Sequence, residues 1–135
     1  MRVLIVDDSL TIRAMVEQIL SKIQGVEIIG PACDADEAAL LIQKCRPDVI
    51  TLDIAMPGMD GLAFLQHLMA NDPRPVIMVS SMTQAGSAAC EEALRLGATH
   101  CFSKSKIVSD SAEFCKIVAQ AYAMRNEVRR QRYLH

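Results

Sequence analysis

The chain has 135 residues, about one ordinary domain, with 51% hydrophobic and 22% charged residues, which excludes a disordered acidic tail. A net charge of −2, 4% aromatics and no Trp argue against a phosphate-binding basic surface and a base-stacking platform. The apolar content is mostly Ala, Ile, Leu, Val and Met, which suits helices packed on a buried sheet.

Arg2 to Val6 reads as a strand buried on both faces. Ser9 is placed to cap a helix whose apolar face is Ile12, Met15, Val16, Ile19, Leu20 and Ile23, ended by Gly25. Val26 to Ile29 is a second strand. Asp34 or Asp36 caps the next helix, with Ala38, Leu41, Ile42 and Cys45 inward and Pro47 as its stop. Val49 to Leu52 is a third strand. Pro57-Gly58 forces a loop before a helix from about Asp60 to Met69. Pro75 to Val79 is a fourth strand, followed by a helix of small residues ending at Gly97, a C′ glycine. Thr99 to Phe102 is a fifth strand. A last helix carries Phe114, Ile117, Val118, Ala121 and Tyr122 on one face. Five strand-helix units predict an α/β, doubly wound parallel sheet with helices on both faces.

The five cysteines are Cys33, Cys45, Cys90, Cys101 and Cys115. Their number is odd and no zinc-type spacing occurs, so they read as free thiols in a reducing compartment. No secretory signal or membrane span is visible, so the chain reads as cytoplasmic, with no membrane partner.

In a sheet of this kind, ligands bind beyond the carboxyl ends of the strands, where strand order reverses. Those ends carry Asp7-Asp8, Asp53, Ser80-Ser81 and Lys104. If the order reverses between the first and third strands, three carboxylates converge, and they repel one another unless a cation joins them. Hard oxygen donors suit Mg²⁺, which also takes phosphate oxygens, and a carboxylate can be the nucleophile that forms an aspartyl-phosphate. Taken singly, each residue also reads as a cap, a turn or a surface charge; their coincidence at successive strand ends favours a site.

The ordered motifs resemble a response-regulator receiver domain of two-component signalling. They are Val3-Leu4-Ile5-Val6-Asp7-Asp8-Ser9, the run from Pro47 to Gly61 that includes Leu52-Asp53 and Met56-Pro57-Gly58, Val79-Ser80, and Gly97-Ala98 to Lys104. Thr51-Leu52-Asp53, Gly61 to Leu65 and Pro75 to Thr83 are most similar to the receiver half of chemotaxis protein-glutamate methylesterases. The resemblance implies one flavodoxin-like domain at 1–123, five parallel strands in order 2-1-3-4-5 and five helices, with 124–135 a basic helical extension or linker. It implies Asp53 as phospho-acceptor, and Asp7, Asp8, Asp53 and the Ala55 backbone carbonyl as ligands for Mg²⁺, with Mn²⁺ as an alternative. Ser80 and Lys104 would engage the phosphoryl group, and Cys101 takes the switch position. The implied donor is a phosphohistidine on a sensor histidine kinase or phosphotransfer protein. The signal would pass to a downstream protein or an output domain, with no direct nucleic-acid contact by this chain. The esterase half is absent, so the chain reads as a phospho-acceptor rather than an enzyme.

Four positions depart from the family pattern. Ser105 follows Lys104 where the family usually has Pro. A cis bond before Ser costs about 2.5–4 kcal/mol, so a trans bond or a strained turn is expected, with a remodelled loop to Asp110. Cys101 replaces an aromatic ring and cannot swing inward as one does; a small strand residue is the simpler reading, a redox role the sharper one. Ala55 and Met82, two residues beyond Asp53 and Ser80, are apolar and cannot position a water, which predicts slow self-dephosphorylation. Arg125, Arg129, Arg130 and Arg132 make the tail basic, as a solvated helix end, a linker or a dock for an acidic partner. The departures motivate an alternative: a degenerate receiver that binds a partner without phosphorylation. A flavin-binding protein is disfavoured because Asp7-Asp8 would repel its phosphate.

Overall fold

A computed structural model describes residues 1–56, 59–81 and 88–130. The strands are β1 (Arg2–Val6), β2 (Glu27–Ala32), β3 (Val49–Asp53), β4 (Ala55–Met56), β5 (Met59–Asp60), β6 (Val76–Ser80) and β7 (His100–Ser103). The helices are α1 (Leu10–Leu20), α2 (Ala35–Cys45), α3 (Gly61–Asn71), α4 (Ala88–Arg95), α5 (Ser111–Ala123) and α6 (Arg125–Arg130). Five parallel strands run in the order β2-β1-β3-β6-β7. This is the expected 2-1-3-4-5 sheet, with the fourth and fifth long strands now β6 and β7. The antiparallel pair β4-β5 stands apart from it.

Period-two alternation divides the sheet between two cores. Leu4, Val6, Ile50, Leu52, Val76 and Met78 face one side, against Ala38 and Ile42 of α2, Leu65 and Leu68 of α3, and Cys90 and Ala93 of α4. Val3, Ile5, Val49, Ile77 and Val79 face the other, against Val16, Ile19 and Leu20 of α1 and Phe114, Ile117, Val118 and Ala121 of α5. With both faces covered, β3 and β6 are buried along their whole length, which is why they read as largely apolar runs.

The caps follow the sequence closely. Ser9 Oγ accepts the Ile12 N–H at 3.3 Å, and Asp34, rather than Asp36, accepts the Glu37 N–H at 2.8 Å. Gly97 has φ +113° and closes α4, donating to Leu94 O while Ala98 donates to Ala93 O. That pairing satisfies the orphan carbonyls of a helix end and turns the chain directly into β7.

Four local features differ from the sequence reading. α1 stops at Leu20, and Ile23 packs from a turn beyond it. β2 runs on to Ala32 across a register irregularity opposite Leu4–Val6. A 3₁₀ turn covers Lys104–Lys106. The fourth concerns the thiols: Cys33, Cys45 and Cys115 are free, but Cys90 and Cys101 are joined as a disulfide. Their pairing left no trace in local spacing because one lies on α4 and the other on β7. Only the fold brings their Cα atoms to 5.9 Å.

No helix among the described residues is long and apolar enough to cross a membrane.

Candidate functional site

Because β1 and β3 are neighbours, their carboxyl ends deliver Asp7-Asp8 and Asp53 to one place. Asp7 and Asp53 are buried and Asp8 is exposed. One carboxylate oxygen from each lies within 4.8 Å of the others. The Asp7 carboxylate is also anchored to the backbone. Its Oδ1 accepts the Ser9 N–H at 2.8 Å, at the entry to α1.

Lys104, the first residue after β7, closes the cluster. Its Nζ stands 2.9 Å from Asp53 Oδ2 and 3.4 Å from Asp7 Oδ2. Burial by itself would lower the lysine pKa, but the hydrogen bond and charge of Asp53, joined by Asp7, outweigh it and hold the pKa above its ordinary value. The ammonium is therefore charged throughout the neutral range.

The question raised by Ser105 is answered by the turn itself. The cis bond in the described chain is Gly30-Pro31, so Lys104-Ser105 is trans. The hydroxyls of Ser103 and Ser105 lie 2.8 Å apart and tie the two ends of the bend together. Lys104 is thereby aimed at Asp53 without a proline. The two serines flanking Lys104 are the signal in the sequence that could have pointed to this turn.

Ser80 ends β6 and is fully buried. It lies one residue beyond the pairing of Val79 with Asp53 and opposite Ser103 of β7. Both sulfurs of the disulfide touch it, Cys90 Sγ at 3.8 Å and Cys101 Sγ at 3.9 Å from Ser80 Oγ. Cys101 packs with the α4 side of the sheet. Phe102 points to the other side, against the Phe114 ring at 5.2 Å, as strand alternation requires.

Ala55 falls in β4 and pairs with Asp60. Asp60 caps α3, its Oδ1 accepting the Leu62 and Ala63 N–H groups at 3.0 and 3.3 Å. Met82, Pro57 and Gly58 lie outside the described residues. A residue whose role the sequence did not reveal is Gly61. A Cβ there would stand 2.7 Å from Asp53 O and 2.6 Å from Ile54 O, too close for any side chain. The glycine lets α3 begin hard against the backbone that carries Asp53, with its N–H donating to Ile54 O at 3.2 Å.

Three carboxylates and a strand-end backbone make a hard-oxygen donor set that fits a divalent cation such as Mg²⁺.

Comparison with known proteins places the domain. The sequence profile of the response regulator receiver domain matches residues 3–119. This chain belongs to the response-regulator receiver family. Among curated relatives, a protein-glutamate methylesterase/protein-glutamine glutaminase of Xanthomonas campestris is 51% identical over 106 residues, which is 78% of this chain and 30% of that protein. Its counterpart in Caulobacter vibrioides is 43% identical over 120 residues, covering 88% of this chain and 35% of that protein. The receiver thus spans about a third of the length of the curated relatives it matches. Among solved structures, the response regulator domain of Thermotoga maritima CheB superposes with a TM-score of 0.83 at 36% identity, covering 91% of this chain and 96% of that one. The receiver of a Mycobacterium tuberculosis NarL regulator superposes with a TM-score of 0.80 at 32% identity, covering 92% and 97%. The match to the methylesterases therefore falls on a receiver portion, and the resemblance read from the motifs is borne out.

Proposed function

We propose that this receiver accepts a phosphoryl group on Asp53 from a phosphohistidine of a sensor kinase or phosphotransfer protein. The observation that carries the reading is the Lys104 ammonium held against Asp53 and Asp7 at the carboxyl edge of the sheet. An Asp53 carboxylate oxygen attacks phosphorus, the phosphorus–nitrogen bond of the donor breaks, and the imidazole leaves with the bonding pair. Asp7, Asp8, Asp53 and the Ala55 carbonyl would hold Mg²⁺ or Mn²⁺, which when bound neutralises charge on the transferring phosphoryl oxygens. Lys104 exchanges its contact with the Asp53 carboxylate for the arriving phosphoryl oxygens, a charge-assisted hydrogen bond. The Ser80 hydroxyl, on the adjacent strand, turns toward the same group. The displaced ammonium and hydroxyl then shift the population of α4–β7–α5 conformers that a partner reads.

The alternative of a phosphorylation-independent binding module was motivated chiefly by Ser105 and Cys101. The aim of Lys104 at Asp53 weighs against it. We read residues 1–123 as the receiver and 124–135 as a basic extension, within which α6 buries Val128. Coupling to a chemotaxis-type output is likewise a proposal, drawn from the relatives. With apolar Ala55 and Met82 at the two tuning positions, the aspartyl-phosphate decays slowly; a half-life of seconds in Mg²⁺ counts against that part.

The test is incubation with acetyl phosphate and Mg²⁺, read by intact mass. One phosphoryl group adds to the wild type and none to Asp53→Asn. Labelling that persists in Asp53→Asn overturns the assignment.

A further inference from the structure

The Cys90–Cys101 pair is not used by phosphoryl transfer, yet it touches a residue that is. Cys90 is buried in the first turn of α4, and Cys101 is half-buried in β7. The disulfide ties the helix to the strand on the α4–β7–α5 side, the side through which the proposed function passes its signal. Its sulfurs flank Ser80 Oγ. The remaining thiols have other surroundings: Cys33 Sγ accepts the Arg13 guanidinium at 2.8 Å, and burial pushes the Cys115 thiol up.

We propose that Cys90 and Cys101 form a reversible dithiol–disulfide modification site that exchanges with small-molecule disulfides and, when oxidised, pins α4 to β7 beside Ser80. The chemistry is independent of the phospho-acceptor reading; the consequence for Ser80 rests on it. The more exposed Cys101 thiolate attacks one sulfur of a small disulfide RS–SR and releases RS⁻. The Cys90 thiolate then attacks the Cys101 sulfur of the mixed disulfide and releases the second RS⁻. The two thiol protons pass to the two departing thiolates. Two electrons pass from the cysteine pair to RS–SR, which leaves as two RSH.

Oxidation alters Ser80 in two ways. In the dithiol, either S–H can donate to Ser80 Oγ. In the disulfide there is no proton to give, and sulfur can only accept weakly from the serine hydroxyl. The covalent link also makes any displacement of the first turn of α4 carry β7 with it. Cys101 pairs with Met78 in the sheet, so that motion is resisted by the strand ladder. The oxidised receiver would take a phosphoryl group on Asp53 and transmit it poorly.

The test is equilibration of the full chain in glutathione buffers of stepped redox ratio. Acid quench, alkylation and peptide mapping follow, with hydrogen exchange across residues 88–95 at the same ratios. A Cys90–Cys101 peptide that appears in oxidising buffer and disappears in reducing buffer is expected. With it, α4 amides should exchange several-fold more slowly in the oxidised form, with or without acetyl phosphate. Cys90→Ser should remove the redox difference; if that variant does not fold, the two wild-type states decide the matter. Absence of the linked peptide at every ratio, or equal α4 exchange in both states, overturns the proposal. If both effects are present while Asp53 takes no phosphoryl group, the redox site stands and the phospho-acceptor reading fails.

Discussion

The two ends of the sheet hold opposite charge arrangements. At the carboxyl end, Asp7, Asp8 and Asp53 cluster, and the ammonium of Lys104 pairs with Asp7 and Asp53. At the amino end, the guanidiniums of Arg46 and Arg74 close on Asp72, at 2.7 and 2.6 Å. The excess positive charge there is met by backbone. Arg74, fully buried, donates from Nη1 to Pro47 O at 2.9 Å and from Nε toward Asp72 O at 3.4 Å. Two backbone carbonyls and the Asp72 carboxylate hold the buried guanidinium, so that end is structural. The acidic end instead sets three carboxylates beside the Lys104 ammonium, a carboxylate excess that suits a metal and a phosphoryl group.

Substitutions at the two ends should therefore separate activity from stability. Lys104→Ala removes the charge that meets the phosphoryl oxygens and should slow acetyl phosphate labelling of Asp53 by about 10²-fold, read by quenched-flow mass analysis. Labelling at the wild-type rate would remove Lys104 from the mechanism. Arg74→Ala should leave labelling intact and cost about 2–4 kcal/mol in urea unfolding, through a cavity and an unsatisfied Pro47 carbonyl. Arg74→Met refills that volume and should recover the part of the loss that comes from the cavity, while the Pro47 carbonyl stays unpaired.

The two ends should also answer pH in opposite directions. Burial alone would raise the Asp72 pKa, but Arg46 and Arg74 hold it below the ordinary carboxylate value. Its contribution is present above about pH 3.9 and is lost as pH falls through the depressed folded value. The Lys104 pKa is raised, so its contribution is complete below about pH 10.4 and is lost as pH rises through the higher folded value. The stability gap between wild type and Asp72→Asn should shrink in acid. The gap between wild type and Lys104→Met should stay flat from neutral pH and shrink only in strong alkali. A Lys104 gap that closes near neutrality would break the ion-pair account. These are the smallest of the expected effects, because Asp72 is substantially exposed and its pairs are screened.

What could be read in advance differed between the same two regions. Val3 to Val6, Val49 to Leu52 and Val76 to Val79 are largely apolar runs, each followed by a polar residue, so Asp7 and Asp53 mark the acidic edge directly. Ser80 and Lys104 followed from their position along the chain. The Lys104 turn was harder to read, because the Ser103–Ser105 hydroxyl pair supports what a proline was expected to shape. Arg74 carries no such signal: an arginine between two prolines reads as a solvated loop residue, and its burial depends on the Pro47 carbonyl brought from a distant segment. The disulfide was missed for a similar reason, since its partners meet only after α4 has crossed back onto the sheet. Pairing as short as β4-β5 carries no periodicity to detect.

The carboxyl edge should present Asp53, and not its acidic neighbours, to the phosphoryl donor. Borohydride reduction of the acetyl phosphate-treated receiver converts an acyl phosphate to an alcohol that peptide sequencing by mass can place. Reduction at Asp53 alone, in the presence of Mg²⁺, is expected. Reduction at Asp7 or Asp8, or at no carboxylate, would contradict it.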